Sequence, residues 1–163
     1  MLSIIEKMII LKEVSFFKGM TIEQLKILAS VCEEEFFPEN TMLFHQGEPG
    51  GMLYMIVSGR VGIDQEKRKG SFVRVNSHGP RAYIGEATLF DKSPRTAAGI
   101  ALQDTLTLRL RQEPLMALAR QYPELSLELI HAINRRLHES YDTIGELTRS
   151  RPRQLHKLFD QFE

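Results

Sequence analysis

Four residues between positions 85 and 95 have the types and spacing to do chemistry: Gly85, Glu86, Pro94 and Arg95. A glycine entering a short helical turn permits a backbone conformation that side chains resist, and the leading amides of such a turn have no internal partner. Those amides can receive an anion. An arginine beside them completes a site for a single phosphate, because its planar fork grips two oxygens. A carboxylate next to a phosphate would repel it, so Glu86 must face something neutral, such as a sugar hydroxyl. One guanidinium and one carboxylate separated by a sugar describe a nucleotide. The competing reading is a structural ion pair between Glu86 and Arg95, since a buried arginine needs a carboxylate.

Three successive regions, read together as one domain over 1–163, must position these groups: 1–33 helical, 34–112 strand-rich, 113–163 helical again. In the first, Ile4, Ile5, Met8, Ile9 and Leu11 predict one face of an amphipathic helix broken by Gly19. Thr21 predicts the cap of a second helix, with Ile22, Leu25, Leu28, Ala29 and Cys32 inward. In the middle region short apolar runs alternate with turn residues at near-even spacing. That pattern predicts a mainly β fold, an antiparallel β-barrel or jelly roll (double-stranded β-helix), flanked by N-terminal helices and a long C-terminal helix. Ser58-Gly59 predicts a tight hairpin and Glu66–Ser71 a polar turn. In the last region Pro114 suits the first turn of one helix, and Pro123 opens another running to about Arg149. Along it Ile130, Ile133, Leu137, Ile144 and Leu147 fall on alternating three- and four-residue steps, with the polar Ser140 taking the step between Leu137 and Ile144. This spacing predicts a homodimer paired through the C-terminal helix; the alternative is a helix docked on its own barrel. After Pro152, Leu155, Leu158, Phe159 and Phe162 share a face that must dock on this domain, on a dimer mate or on a separate effector protein.

The stretch 83–97 resembles the phosphate-binding cassette of the cyclic nucleotide-binding domain family: Gly85-Glu86, a variable turn, then Pro94-Arg95. Upstream, Phe44-His45-Gln46-Gly47-Glu48 and Tyr54–Val61 resemble two further signatures of that family. The resemblance implies that Arg95 pairs with the exocyclic oxygens of a cyclic phosphate and Glu86 accepts from the ribose 2′-OH. Backbone amides around Gly85, Glu86, Ala87 and Thr88 would cradle the phosphate and sugar. Thr96 stands where a hydroxyl can reach a guanine amino group, so the implied ligand is cAMP or cGMP, with no cofactor and no catalytic residue. The C-terminal helix would cover the purine, with Ser140, Tyr141 or Thr143 as base contacts, and Leu89 and Phe90 would relay binding to that helix. Two departures stand out: Arg81-Ala82 replaces the family's glycine and acid, and Ile84 replaces an aromatic.

Composition narrows the alternatives. With 21 basic and 21 acidic residues the net charge is zero, whereas chains that live on DNA or anionic lipid carry a basic surplus. The stretch after Pro152 is too short to add a helix-turn-helix, so a catabolite-activator-like sensor is expected without DNA contact; the excised sensor half of a transcription regulator and a ligand-free interaction module are the alternatives. Cys32 alone excludes an internal disulfide, and the five histidines show no metal-ligand spacing. Charges at Glu6, Lys7, Lys12 and Glu13 interrupt the apolar N-terminus, so neither a membrane span nor a secretory leader is expected, and a cytoplasmic location is.

Overall fold

The computed structural model describes residues 1–150. A reciprocal cap opens α1 (Ile4–Glu13): the Ser3 hydroxyl accepts from the Glu6 amide and the Glu6 carboxylate accepts from the Ser3 amide. The helix stops at Val14 rather than Gly19, because Val14, Phe16 and Phe17 must all turn inward, and a 3-10 turn at Ser15–Phe17 achieves this. Its buried side is Leu11, supported by Met8 and Ile10, while Ile4, Ile5 and Ile9 face out. Thr21 and Gln24 repeat the reciprocal cap on α2 (Ile22–Ala29). There Leu25, Leu28, Ala29 and Cys32 are buried as the spacing predicts, and Ile22 is not.

Among the described residues eight strands form two antiparallel sheets. One has the order β1 (Glu33–Phe37), β8 (Thr105–Arg111), β3 (Met52–Ser58), β6 (Tyr83–Ile84). The other has the order β2 (Met42–Phe44), β7 (Ala98–Ala101), β4 (Val61–Arg68), β5 (Ser71–His78). This is the jelly roll that the alternation of runs and turns predicts.

Two turns differ from expectation. Strands β3 and β4 lie in different sheets, so Ser58-Gly59 is a corner between sheets and not a hairpin. Gly59 adopts φ +89°, and a Cβ there would come within 2.4 Å of the Asp104 carbonyl oxygen, so the corner is pressed against the β7–β8 loop. The tight two-residue hairpin sits instead at Lys69-Gly70, with Arg68 opposite Ser71, inside the stretch read as a longer polar turn.

Strand β3 shows why the site is rigid. Leu53 and Met55 point into a core shared with the helices, where Leu11, Phe17, Leu28, Leu108, Leu110, Leu115 and Leu125 are buried. Tyr54 and Ile56, on the opposite face, point into the barrel with Phe37, Phe44, Val61 and Ile84. A strand buried on both faces cannot shift without disturbing two cores. Its first residue, Met52, supplies a carbonyl to the site described below.

Two helices follow, α3 (Gln112–Gln121) and α4 (Pro123–Ser150). The start of α4 docks through Leu125, Leu129 and Ala132. Thereafter its apolar seam faces outward, with Ile130, Ile133, Leu137 and Ile144 between 43% and 55% exposed. The helix is thus docked on its own domain over its first turns, through Leu125, Leu129, Ala132 and the Arg136–Glu86 pair, while part of its apolar seam stays exposed. The face formed by Leu155, Leu158, Phe159 and Phe162 lies outside the described residues.

Candidate functional site

The cassette folds as a sharp entry, a single turn and a return. Gly85 takes φ +94°, ψ 8°, the left-handed region, and caps a 3-10 turn at Glu86–Thr88. A Cβ at Gly85 would lie 2.5 Å from both Arg95 Nη1 and the Met52 carbonyl oxygen, so glycine is required here for space as well as for φ. As the first residues of the turn, Glu86 and Ala87 have amides without an intrahelical partner. Thr88 is buried, and its carbonyl accepts from the Gly51 amide at 2.7 Å, which ties the turn to the mouth of β3. The return passes Pro94, bridged to Pro49, and brings Arg95 back beneath the turn.

Arg95 is only 5% exposed. Its Nη2 donates to the Met52 carbonyl at 2.9 Å, and its Nη1 donates to Thr88 Oγ1 at 3.0 Å and to the Gly85 carbonyl at 3.4 Å. The guanidinium carbon lies 4.5 Å from the centre of the Phe44 ring. Its Nε is buried without a hydrogen-bond partner. Burial pushes the guanidinium below its usual value, opposed by Tyr54, Glu48 and Glu86. A buried cation with an unspent donor is costly unless an anion joins it.

Arg95 borders a cavity of about 200 Å³, whose wall includes Phe44, Ile84, Gly85, Glu86, Ala87, Thr88 and Thr96. All six cassette residues singled out from the sequence therefore meet in one place. The structural ion pair between Glu86 and Arg95 is not present. Glu86 instead accepts from Arg136 Nε of α4 at 3.1 Å. Burial, the largest single influence, would lower the Arg136 value, but the hydrogen bond and charge of Glu86 together with Tyr83 and Glu139 outweigh it and hold the guanidinium above its usual value. Arg136 also lies 6.0 Å from the centre of the Tyr83 ring.

A second recess, of about 310 Å³, adjoins the first and shares Glu86, Ala87 and Arg136 with it. Phe16, Phe90, Ile133, Leu137 and Ser140 complete its wall. Of the base contacts expected on α4, Ser140 lines this recess, with its hydroxyl bonded to the Arg136 carbonyl. Tyr141 and Thr143 do not line it; Tyr141 is exposed and the Thr143 hydroxyl bonds the Glu139 carbonyl. Leu89 is buried and Phe90 forms the floor between turn and helix. Of the departures, Arg81 adopts φ +72° and is held by Glu13 of α1 at 3.1 Å.

Sequence reasoning did not find Arg136 or His78, which also line the first cavity. For Arg136 the available signal was its place on α4, one turn before Ser140 and beside Ile133 and Leu137.

The family model described as "Cyclic nucleotide-binding domain" matches residues 34–122. The chain is 28% identical over 138 residues to a "CRP-like cAMP-activated global transcriptional regulator" of Mycobacterium tuberculosis, a match covering 85% of this chain and 62% of that protein. It is 31% identical over 124 residues to a "Cyclic AMP receptor protein" of Thermus thermophilus, covering 76% of this chain and 57% of the relative. Among solved structures, the N-terminal domain of a transcriptional regulator from Streptomyces coelicolor matches with a TM-score of 0.75 and 32% identity, covering 82% of this chain and 95% of that one. The chain thus spans about three-fifths of the length of these curated relatives.

Proposed function

The chain belongs to the cyclic nucleotide-binding domain family, and from that premise we propose that it is a cytoplasmic cAMP sensor that catalyses nothing and reports binding through α4. The observation that carries this reading is Arg95, buried at the end of a cavity with its Nε unpaired. The cyclic phosphate takes that guanidinium together with the amides of the Gly85–Thr88 turn. The ribose 2′-OH donates to Glu86, where it competes with or joins Arg136. The purine occupies the recess beside Ser140 and Thr96 lines its approach. The names of the Mycobacterium and Thermus relatives support cAMP over cGMP as the natural ligand.

The Glu86–Arg136 pair joins the cassette to α4, and this supplies the coupling. Both side chains are partly exposed, so the pair is worth no more than about 1 kcal/mol and a sugar hydroxyl can displace it. Ligand then favours one placement of α4 over another, which is a population shift. The outward seam of Ile130, Ile133, Leu137 and Ile144 supports pairing of two such helices in a homodimer. Because the relatives are longer, the response is passed on to a further segment or a separate effector protein.

The test is a thermodynamic cycle: affinities of wild type and Glu86→Ala for cAMP and for 2′-deoxy-cAMP. Wild type should prefer cAMP by about tenfold, one hydrogen bond to a charged acceptor, and the variant should not distinguish the two. An equal preference in both proteins would remove Glu86 from the ribose, and no binding by wild type would remove the function.

A further inference from the structure

His78 closes β5 opposite Val61 of β4, and its side chain lines the same cavity as Glu86 and Arg95. It is half-buried, and no hydrogen bond holds its ring among the described residues. Both ring nitrogens are therefore open to a partner that enters the cavity. The charged and titratable groups around it come from several elements. Glu86 faces it from the cassette turn and Arg136 from α4, both close enough to act on its charge. Tyr83 of β6 and Arg95 of the return share the cavity wall. Arg60, at the corner before β4, donates to Ser77 next door. The neighbours on β4, Val61 and Ile63, are apolar.

We propose that His78 is a ligand-contacting residue of the nucleotide cavity, hydrogen-bonding the nucleoside beside Glu86, and that it takes up a proton when the anionic ligand enters. The inference rests on the nucleotide reading of the site. Its physics follows from the surroundings. Without ligand, burial and Arg136 favour the neutral ring, with Glu86 opposing, and the net shift is below the usual histidine value. A cyclic nucleotide adds one negative charge to the cavity and no group of its own that titrates near neutrality. That charge favours the imidazolium, so the bound-state value lies above the free-state value. Binding therefore gains strength as pH falls through the bound value, and the gain is complete once pH is below the free value. Each unit of separation between the two values is worth about tenfold in affinity. Of the side chains facing His78 in this cavity, none is a second imidazole. A pH response of binding in the range where histidine titrates thus points to His78.

The experiment is titration calorimetry of the full chain with cAMP between pH 6 and 8, repeated at pH 7 in two buffers of different ionisation enthalpy. Wild type should bind several-fold tighter at pH 6 than at pH 8, and the buffer pair should report net proton uptake. His78→Gln keeps a neutral hydrogen-bonding side chain; it should show the pH 8 affinity of wild type throughout and no uptake. A flat profile and zero uptake in wild type would overturn the role of His78, as would a slope that survives in His78→Gln. The buffer measurement needs no variant, so a poorly folded His78→Gln does not block the test. Failure of wild type to bind at any pH would instead overturn the nucleotide reading beneath it.

Discussion

Replacing Arg95 with methionine separates what this residue does for the fold from what it does for the ligand. In the free protein its three hydrogen bonds, to Met52, Thr88 and Gly85, contribute about 3 kcal/mol together, and the Phe44 contact about 0.5–2 kcal/mol. Against this stands the desolvation of a guanidinium only 5% exposed and short of a partner at Nε, a penalty of several kcal/mol. The two sides nearly cancel. Methionine conserves the volume, so Arg95→Met should change the stability of the free protein by no more than about 1 kcal/mol, or roughly 2–4 °C in Tm. The ligand side is not balanced. Two charge-assisted bonds to phosphate, at about 1.5–3 kcal/mol each, amount to about 3–6 kcal/mol, or roughly 150- to 25,000-fold in Kd. Thermal melts with and without cAMP report both quantities at once. The expected result is an unchanged melt in buffer and a lost ligand-induced shift. A variant that melts far lower yet keeps its ligand shift would refute the reasoning and make Arg95 a structural residue.

Further outcomes follow from neighbouring positions. Gly85→Ala places a Cβ within 2.5 Å of Arg95 Nη1 and the Met52 oxygen in a left-handed conformation, so it should cost about 1–3 kcal/mol in a denaturant melt and weaken cAMP at least tenfold; wild-type affinity would contradict this. Ile144→Glu puts a charge on the outward seam of α4, away from both cavities. Sedimentation should show wild type as a dimer and the variant as a monomer that still binds ligand. Burial pushes the Cys32 thiol up to about 12, so at pH 8 about one part in ten thousand is thiolate. Alkylation should therefore follow global unfolding in urea, and fast labelling of the native protein would contradict the packing of α2.

The sequence disclosed the site where the chemistry is local. Gly85, Glu86, Ala87, Thr88, Arg95 and Thr96 lie on one turn and its return, so spacing alone brings them together, and they share one cavity. The ends of α1 and α2 were readable for the same reason in part: Thr21 and Gln24 cap within one turn, whereas the stop at Val14 depends on where Phe16 and Phe17 find a core. What could not be read depends on distance along the chain. Arg136 reaches Glu86 across fifty positions, and only the docking of α4 through Leu125, Leu129 and Ala132 sets that approach. Ser58-Gly59 has the composition of a hairpin, but its role is fixed by the Asp104 loop pressing on it from another part of the chain. Strand β6 spans two residues, too short for alternation to register.

The most direct test of the central claim is calorimetric titration of the unaltered chain with cAMP, with 5′-AMP as the control for an opened phosphate ring. The account predicts saturable cAMP binding in the micromolar range or tighter, with 5′-AMP much weaker, because one buried guanidinium and one short turn are shaped for a single cyclic phosphate. Absence of binding heat and of any thermal shift at millimolar cAMP would contradict it, and Arg95 would then be a cation that the fold tolerates without using.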